Sequence, residues 1–265
     1  MARLVIVRLR PRLRFARGIS GLLLAAVSLF GCVPAATTPI ETLRRNYADP
    51  GAAHRILIVY LPGSGDPITA FEENGLFRSL RNTGVPADVI SVNAHLGYYL
   101  EGSVPLRLEE DVMKPARAAG YRQIWFVGNS LGAYGSLTYA RDHPGEIAGL
   151  VLLGPYLGER SIISEIERAG GLLKWDPGAI EKKSREGDER LLWKWFRDGG
   201  QTGSLPPMYL GYGRHDRFSY AQQALASLLP AERVIAIGGG HDWPTWKMAW
   251  DQFLERGILP RSLGD

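Results

Sequence analysis

Three residues of this chain have the types and the order of a nucleophile, an acid and a base. Ser130 stands in the pentapeptide Gly-Asn-Ser-Leu-Gly at 128–132, between an apolar run and a helix-compatible segment. The spacing Gly-x-Ser-x-Gly is typical of a strand-to-helix turn that holds its serine in a strained conformation, because side chains at the two glycines would collide with the neighbouring strand and helix. We therefore predict that Ser130 is a nucleophile.

The acid and the base are predicted on loops that follow later apolar runs. The run Met208–Tyr212 leads to Asp216, and the run that ends at Ile237 leads to three glycines and then His241. A serine needs a base that takes its proton and a carboxylate that holds this base in the right tautomer, so we predict His241 as the base and Asp216 as the acid. Asp216 also suits the N-cap of the following helix. Asp242 is rejected as the acid, because adjacent side chains rarely face each other.

Other chemistries find little support in the residue pattern. The chain has neither Gly-x-Gly-x-x-Gly nor a glycine-rich loop that ends in Lys-Ser/Thr, so a phosphate-binding role for the Ser130 turn is disfavoured. Cysteine, histidine and acidic residues do not cluster with metal-ligand spacing, and we expect no metal and no cofactor. His95 follows an apolar run and is a candidate pocket residue. We expect Trp243 and Trp246 to pack against the histidine loop.

The elements that must position these side chains are visible as apolar runs. Six runs predict strands, at Arg55–Leu61, Asp88–Asn93, Gln123–Val127, Ile147–Leu153, Met208–Tyr212 and Arg233–Ile237. Continuous apolar runs are typical of parallel strands that are buried on both faces. Segments with helical periodicity lie between them, and this alternation predicts an α/β fold with a doubly wound, mostly parallel sheet of about six strands.

One interval is too long for a single crossover helix. About fifty residues, at 155–206, separate two predicted strands, so we predict a helical cap insertion there. The core is then 55–154 together with 207–265. Aromatic residues crowd at Trp193, Trp195 and Phe196. They either bury the insertion against the core or form the apolar underside of a substrate pocket, and both can hold together.

The positive charge of the chain is confined to its first residues. The formal net charge is +4, and six arginines precede residue 32 without any acidic residue. The remaining 25 basic residues face 27 acidic ones, so the rest of the chain carries about −2. We therefore expect no nucleic-acid partner.

The first 31 residues have the parts of an export signal. A basic stretch precedes the apolar run Ile19–Phe30, which is shorter than the ~20 residues that a membrane-spanning helix needs. Cys32, the only cysteine, follows directly and resembles the lipidated cysteine of bacterial lipoproteins. We expect a signal peptide at 1–31, a tether at 32–54, and an exported lipoprotein that is anchored in a membrane of the bacterial cell envelope. The alternatives are periplasmic or secreted export with cleavage after Ala35 or Ala36, and an uncleaved anchor.

Residues from about 55 to near the C-terminus resemble an α/β-hydrolase of the esterase/lipase type. The motifs that carry this resemblance are the turn at 128–132, the acid loop at 213–216 and the pair Gly240-His241. The resemblance implies an oxyanion hole made by the backbone amides of Ser64 and Leu131. The loop that holds Ser64 has Pro62 where the family usually has histidine.

The expected function is a serine hydrolase that cleaves a carboxylic ester through an acyl-enzyme intermediate. Its partner is a small-molecule ester or acyl substrate, besides the membrane that the lipid anchor reaches. An acyltransferase or a thioesterase would use the same residues. A catalytically idle envelope lipoprotein that serves as a binding module is the alternative from another class, and a complete triad argues against it.

Overall fold

The computed structural model describes residues 33–48, 56–181 and 184–260. In these ranges seven strands form one sheet, and they are β1 Thr42–Arg45, β2 Ile56–Leu61, β3 Ala87–Val92, β4 Gln123–Asn129, β5 Gly149–Leu153, β6 Met208–Gly213 and β7 Val234–Ile237. Their order across the sheet is β1-β3-β2-β4-β5-β6-β7. Strands β2 to β7 are parallel, as the apolar runs predict, and β1 pairs antiparallel with β3. The mostly parallel α/β fold is thereby confirmed.

Strand β1 is the difference from the predicted six strands. It falls inside the segment 32–54 that we expected to be a tether, and Thr42 lies opposite Val92 in the sheet. Asp88 accepts hydrogen bonds from the backbone amides of Tyr47 and Ala48, at 2.8 and 3.0 Å. Residues 42–45 are thus part of the sheet. No apolar run predicts this strand, because an edge strand of four residues with two arginines buries little side-chain surface.

Helices cover both faces of the sheet. One face carries α3 Leu96–Leu100, α4 Val104–Leu108, α5 Lys114–Ala118, α6 Leu131–Asp142, α7 Arg160–Arg168, α8 Arg185–Thr202 and α9 Ser219–Ala226. The other face carries α1 Ala70–Glu73, α2 Leu76–Asn82 and α10 Trp243–Glu255. A π-helical turn, Glu109–Met113, joins α4 to α5. Because helices lie on both faces, every residue of β2, β3 and β5 is buried.

The predicted insertion contains α7, a short 3-10 helix at Leu172–Lys174, and α8. Trp193 and Phe196 of α8 are fully buried in the same cluster as the sheet residues of that face. The Trp193 indole also donates a hydrogen bond of 2.7 Å to the carbonyl oxygen of Leu157. The aromatic residues therefore bury the insertion against the core, as one of the two interpretations expected.

The predicted signal peptide, 1–31, and Cys32 lie outside the described residues. Within the described ranges, none of the helices has the length and apolar character to cross a membrane. The same ranges hold no group of three or more histidine, cysteine, aspartate and glutamate residues placed to bind a metal ion.

Candidate active site

Ser130 lies in a strained turn between β4 and α6. Its φ is 49° and its ψ is −117°, and among the described residues it is the one non-glycine residue with positive φ. A Cβ atom on Gly128 would lie 2.5 Å from the amide nitrogen of Ala133, and one on Gly132 would lie 1.9 Å from the carbonyl oxygen of Leu61. Both positions therefore require glycine. The turn lifts Ser130 to the carboxyl edge of the sheet, as the motif predicts.

The structure brings Ser130, His241 and Asp216 together in one hydrogen-bonded row. Nε2 of His241 lies 2.9 Å from Oγ of Ser130, and Nδ1 lies 2.8 Å from Oδ2 of Asp216. The aspartate side chain is fully buried and 11% of the histidine side chain is exposed. In this arrangement the carboxylate selects the tautomer with a proton on Nδ1, which leaves the Nε2 lone pair directed at the serine hydroxyl.

Two further donors hold the Asp216 carboxylate in place. Its Oδ1 accepts from the backbone amide of Phe218 at 2.8 Å, and its Oδ2 also accepts from the side-chain amide of Gln222 at 3.1 Å. Helix α9 begins one residue after Phe218 and has no side-chain N-cap bond. Asp216 is therefore not the N-cap of α9, and its Oδ2 accepts from both Gln222 and His241.

Aromatic rings fix the orientation of the His241 imidazole. Phe218 and Trp246 each contact it in a T-shaped arrangement with ring centroids 5.0 Å apart. Trp243 packs in turn on Trp246 at 5.1 Å, so the expected packing on the histidine loop is present. Asp242 accepts from the amide of Thr245 at 3.0 Å as the N-cap of α10, and this bond lowers the pKa of its carboxyl group. It is therefore engaged away from His241.

The two predicted oxyanion amides belong to residues that line the same cavity as Ser130. Leu131 is the first residue of α6, where backbone amides have no acceptor within the helix and the helix dipole favours negative charge. The amide of Gly63 is occupied, because it donates to Oδ1 of Asn129 at 2.9 Å. The next amide, that of Ser64, has no acceptor among the described residues. These facts leave Ser64 and Leu131 as the predicted donors.

A polar network that the sequence analysis did not predict joins three loops of the site. Asn129, fully buried, accepts from Gly63 and donates through Nδ2 to Oδ2 of Asp66 at 2.9 Å. The other oxygen of Asp66 accepts from the indole of Trp243 at 3.2 Å. The loop that holds Ser64 is thereby tied to the Ser130 turn and to the start of α10. The signal that could have indicated it is the acidic residue directly after the turn Gly-Ser-Gly at 63–65.

A cavity of about 760 Å³ opens beside Ser130. The residues that line it are Ser64, Leu96, Tyr99, Leu100, Glu101, Gly102, Ser130, Leu131, Tyr134, Tyr156, Glu159, Ser184, Arg185, Asp188, Glu189, Arg217 and Phe218. The helical insertion forms one wall, from the start of α8 and from the segment before α7, and its lining residues are Tyr156, Glu159, Ser184, Arg185, Asp188 and Glu189. The insertion therefore contributes to the pocket, but Trp193, Trp195 and Phe196 do not line it. The second interpretation, that these aromatic residues form an apolar underside of the pocket, is wrong.

Glu189 organises the insertion side of this cavity. Its side chain is fully buried and accepts from the Tyr156 hydroxyl at 2.6 Å and from the amide of Glu159 at 3.0 Å. Arg185 pairs with Glu159 and lies 3.6 Å from Glu189. Burial, and then the bond to Glu189, raise the pKa of Tyr156, so that its hydroxyl stays a donor. Burial likewise raises the pKa of Tyr134.

His95, the candidate pocket residue, does not line the cavity. Its Nδ1 accepts from the amide of Gly97 at 3.2 Å, which makes it the N-cap of α3. Its ring also packs on Tyr98 with centroids 4.5 Å apart. His95 is therefore not a pocket residue, because its side chain caps a helix and residues that follow it in α3 reach the cavity.

Comparisons with known proteins agree with this architecture. A family model described as the α/β hydrolase fold matches residues 107–190. The structure of S-formylglutathione hydrolase from Staphylococcus aureus is 12% identical with a TM-score of 0.57, and the match covers 86% of this chain and 100% of that one. The chain has the α/β-hydrolase fold. A fluorophosphonate-binding serine hydrolase from the same organism is similar to this α/β-hydrolase-fold chain at 14% identity and a TM-score of 0.56, covering 84% and 100%.

The monoacylglycerol lipase of Paleococcus ferrophilus is 14% identical with a TM-score of 0.54, and the match covers 84% of this chain and 99% of that one. A search of curated proteins by sequence gave no significant match. The stretch that the family model matches contains Ser130 but ends before Asp216 and His241. The roles of these two residues therefore rest on the geometry of this α/β-hydrolase fold.

Proposed function

We propose that this chain is a serine hydrolase that cleaves a carboxylic ester through an acyl-enzyme intermediate. The observation that carries the proposal is the continuous row from Ser130 through His241 to the buried Asp216, with hydrogen bonds of 2.9 and 2.8 Å. The fold supports it, and so do the structures to which it is similar, which include a hydrolase, a serine hydrolase and a lipase.

The first half of the proposed reaction acylates Ser130. Oγ of Ser130 attacks the acyl carbon while Nε2 of His241 takes the hydroxyl proton. The negative charge that develops on the carbonyl oxygen is held by the amides of Ser64 and Leu131, and one such donor is worth roughly 3 kcal/mol of barrier. His241 then gives its proton to the leaving alcohol, and Ser130 remains acylated.

Water completes the cycle. His241 takes a proton from a water molecule that attacks the acyl carbon, and it returns that proton to Oγ of Ser130 as the acid product leaves. The buried carboxylate of Asp216 stabilises the imidazolium that forms in both halves. Its two fixed donors, Phe218 and Gln222, keep it from rotating away from Nδ1.

The direct test is hydrolysis of a short-chain activated ester by the parent protein, by Ser130→Ala and by Ser227→Ala. Ser227 is an exposed serine that lies outside the cavity lining and serves as the matched control. We expect turnover in the parent and in the control and its loss in Ser130→Ala. Turnover that survives in Ser130→Ala would reject the nucleophile, and no turnover in any of the three would favour the idle binding module.

We also propose that the chain is exported and carries a lipid on Cys32. The support is the sequence of residues 1–32, in which a basic stretch and a short apolar run precede the only cysteine. We expect the parent protein to incorporate labelled palmitate and to fractionate with membranes. A Cys32→Ala variant that still fractionates with membranes would contradict lipidation as the anchor.

A further inference from the structure

Helix α3 places two exposed leucines at the rim of the catalytic cavity. Leu96 is 36% exposed and Leu100 is 69% exposed, and both line the cavity that contains Ser130. Residues four positions apart share one face of a helix. The α3 side of the cavity mouth therefore exposes two apolar side chains to water, next to the charged Glu101.

The N-terminal segment of the described chain is attached to this same helix. The carbonyl oxygen of Pro34 lies so close to Gly97 that a Cβ atom there would be 2.1 Å away. The amide of Thr37 donates to the hydroxyl of the buried Tyr98 at 3.1 Å, and the amide of Ala36 donates to Glu101 at 3.2 Å. Residues 34–37 therefore follow the helix that forms the rim.

The proposed anchor is only two residues away from this attachment. Cys32 and Pro34 are separated by a span of at most about 7 Å even when the chain is fully extended. A lipid on Cys32 would therefore hold α3 at the level of the lipid headgroups. This step rests on the lipidation proposed above.

We propose that the face of α3 with Leu96 and Leu100 contacts the bilayer, and that the substrate is an ester with an apolar chain that enters the cavity from the membrane. Leucines at a membrane surface bury their side chains at the boundary of headgroups and acyl chains. Two leucines are far from the ~800 Å² per partner of a stable protein interface, which disfavours a second copy. A surface that an anchor already holds against the bilayer needs little affinity of its own.

The test uses the full-length lipidated protein in phosphatidylcholine/phosphatidylglycerol vesicles. Leu100→Cys is labelled with an environment-sensitive fluorophore, and a matched Leu173→Cys protein is the control. Leu173 is 51% exposed and packs near Gly200, whereas the cavity is lined by the first turn of α8, roughly 22 Å away along that helix. We expect a blue shift and quenching by nitroxide lipids at position 100 and neither at position 173.

If the fluorophores at positions 100 and 173 both stay in water, or if nitroxide lipids quench both, the proposed orientation is wrong. A shift at position 100 without vesicles, together with a dimer in sedimentation, would mean that a second copy covers the rim and would also overturn it. If Cys32 is not lipidated, it takes up a second label, so failure of the lipidation proposal is seen separately. The fluorescence measurement needs no turnover, so it tests the orientation even if the chain does not hydrolyse esters.

A second experiment measures activity after the proposed anchor is moved away from the site, with every residue of the site unchanged. A flexible spacer of about 20 residues inserted between Cys32 and Pro34 lowers the effective concentration of the rim at the bilayer. We expect hydrolysis of a long-chain ester embedded in vesicles to fall about tenfold relative to the parent. Hydrolysis of a water-soluble short-chain ester should stay the same. Equal rates of the two proteins on the embedded ester would contradict delivery from the membrane.

Discussion

Two walls of the same cavity are built in different ways. On the catalytic wall Ser130 lines the cavity, and His241 and the buried Asp216 lie behind it on loops at the ends of buried strands. This wall is held by backbone donors and glycine contacts. The cap wall, Tyr156, Glu189 and Arg185, is held by bonds between side chains, and the Arg185 side chain is 71% exposed. We therefore expect the chemistry to depend on the geometry of the catalytic wall, and substrate choice to depend on the side chains of the cap wall.

The largest effect is expected on the catalytic wall. Asp216→Asn should lower kcat by about 10⁴, because an amide at that position no longer selects the tautomer with the proton on Nδ1. Steady-state kinetics on a soluble ester measures this, with circular dichroism to show that the variant is folded. A folded Asp216→Asn protein with a kcat near that of the parent would mean that another carboxylate orients His241.

The next largest effect is expected from variants that disrupt the hydrogen bonds among Asp66, Asn129 and Trp243. A double variant should restore these bonds. Asn129→Asp sets two carboxylates against each other, and Asp66→Asn leaves a single oxygen for two donors. Each single change should loosen the loop with Ser64 and lower kcat more than it changes KM, by up to about 10²-fold if one oxyanion donor is misplaced.

The double change Asp66→Asn with Asn129→Asp is the control for that network. A carboxylate at position 129 can accept from both Gly63 and the amide then placed at position 66, whose oxygen can accept from Trp243. All three bonds are restored, and kcat should recover together with thermal stability. Recovery of stability while kcat stays as low as in the single variants would show that the network does not position the oxyanion donors.

A change on the cap wall should act on substrate choice. Glu189→Gln keeps one acceptor, so either the hydroxyl of Tyr156 or the amide of Glu159 loses its partner, at about 1–3 kcal/mol of unfolding free energy. Chemical denaturation measures this cost. We expect KM to change with the bulk of the ester, while kcat for the smallest ester changes within a few-fold. An equal loss of kcat for all esters would show that the cap wall affects the chemical step and not substrate choice.

The smallest effect is expected at the N-cap of α10. Asp242→Ala should cost about 1 kcal/mol of stability at neutral pH. The pKa of Asp242 is lowered in the folded protein, so its contribution is present above the ordinary carboxyl pKa and is lost as the pH falls through the lowered value. The unfolding curves of parent and variant should therefore differ at pH 7 and converge at acidic pH. A difference that persists in acid would assign the cost to something other than the ionised cap.

The catalytic wall was predictable because its signals are local. Buried parallel strands appear as apolar runs, and the sterically required glycines around Ser130 appear as a fixed spacing. Strand β1 is short, polar and paired with a residue fifty positions away, so its pattern carries no signal. Glu189 meets Tyr156 across 33 residues, and Asp66 meets Trp243 across 177. Such contacts depend on how helices and strands pack, so a sequence motif cannot predict which side chains meet.

The location of a fluorophosphonate adduct tests the role of Ser130 as the nucleophile. The parent protein is treated with the probe, digested, and mapped by mass spectrometry. We expect one adduct per chain on the peptide that contains Ser130, its loss in Ser130→Ala, and much slower labelling in Asp216→Asn. An adduct on another serine, or labelling that persists unchanged in Ser130→Ala, would show that Ser130 is not the nucleophile.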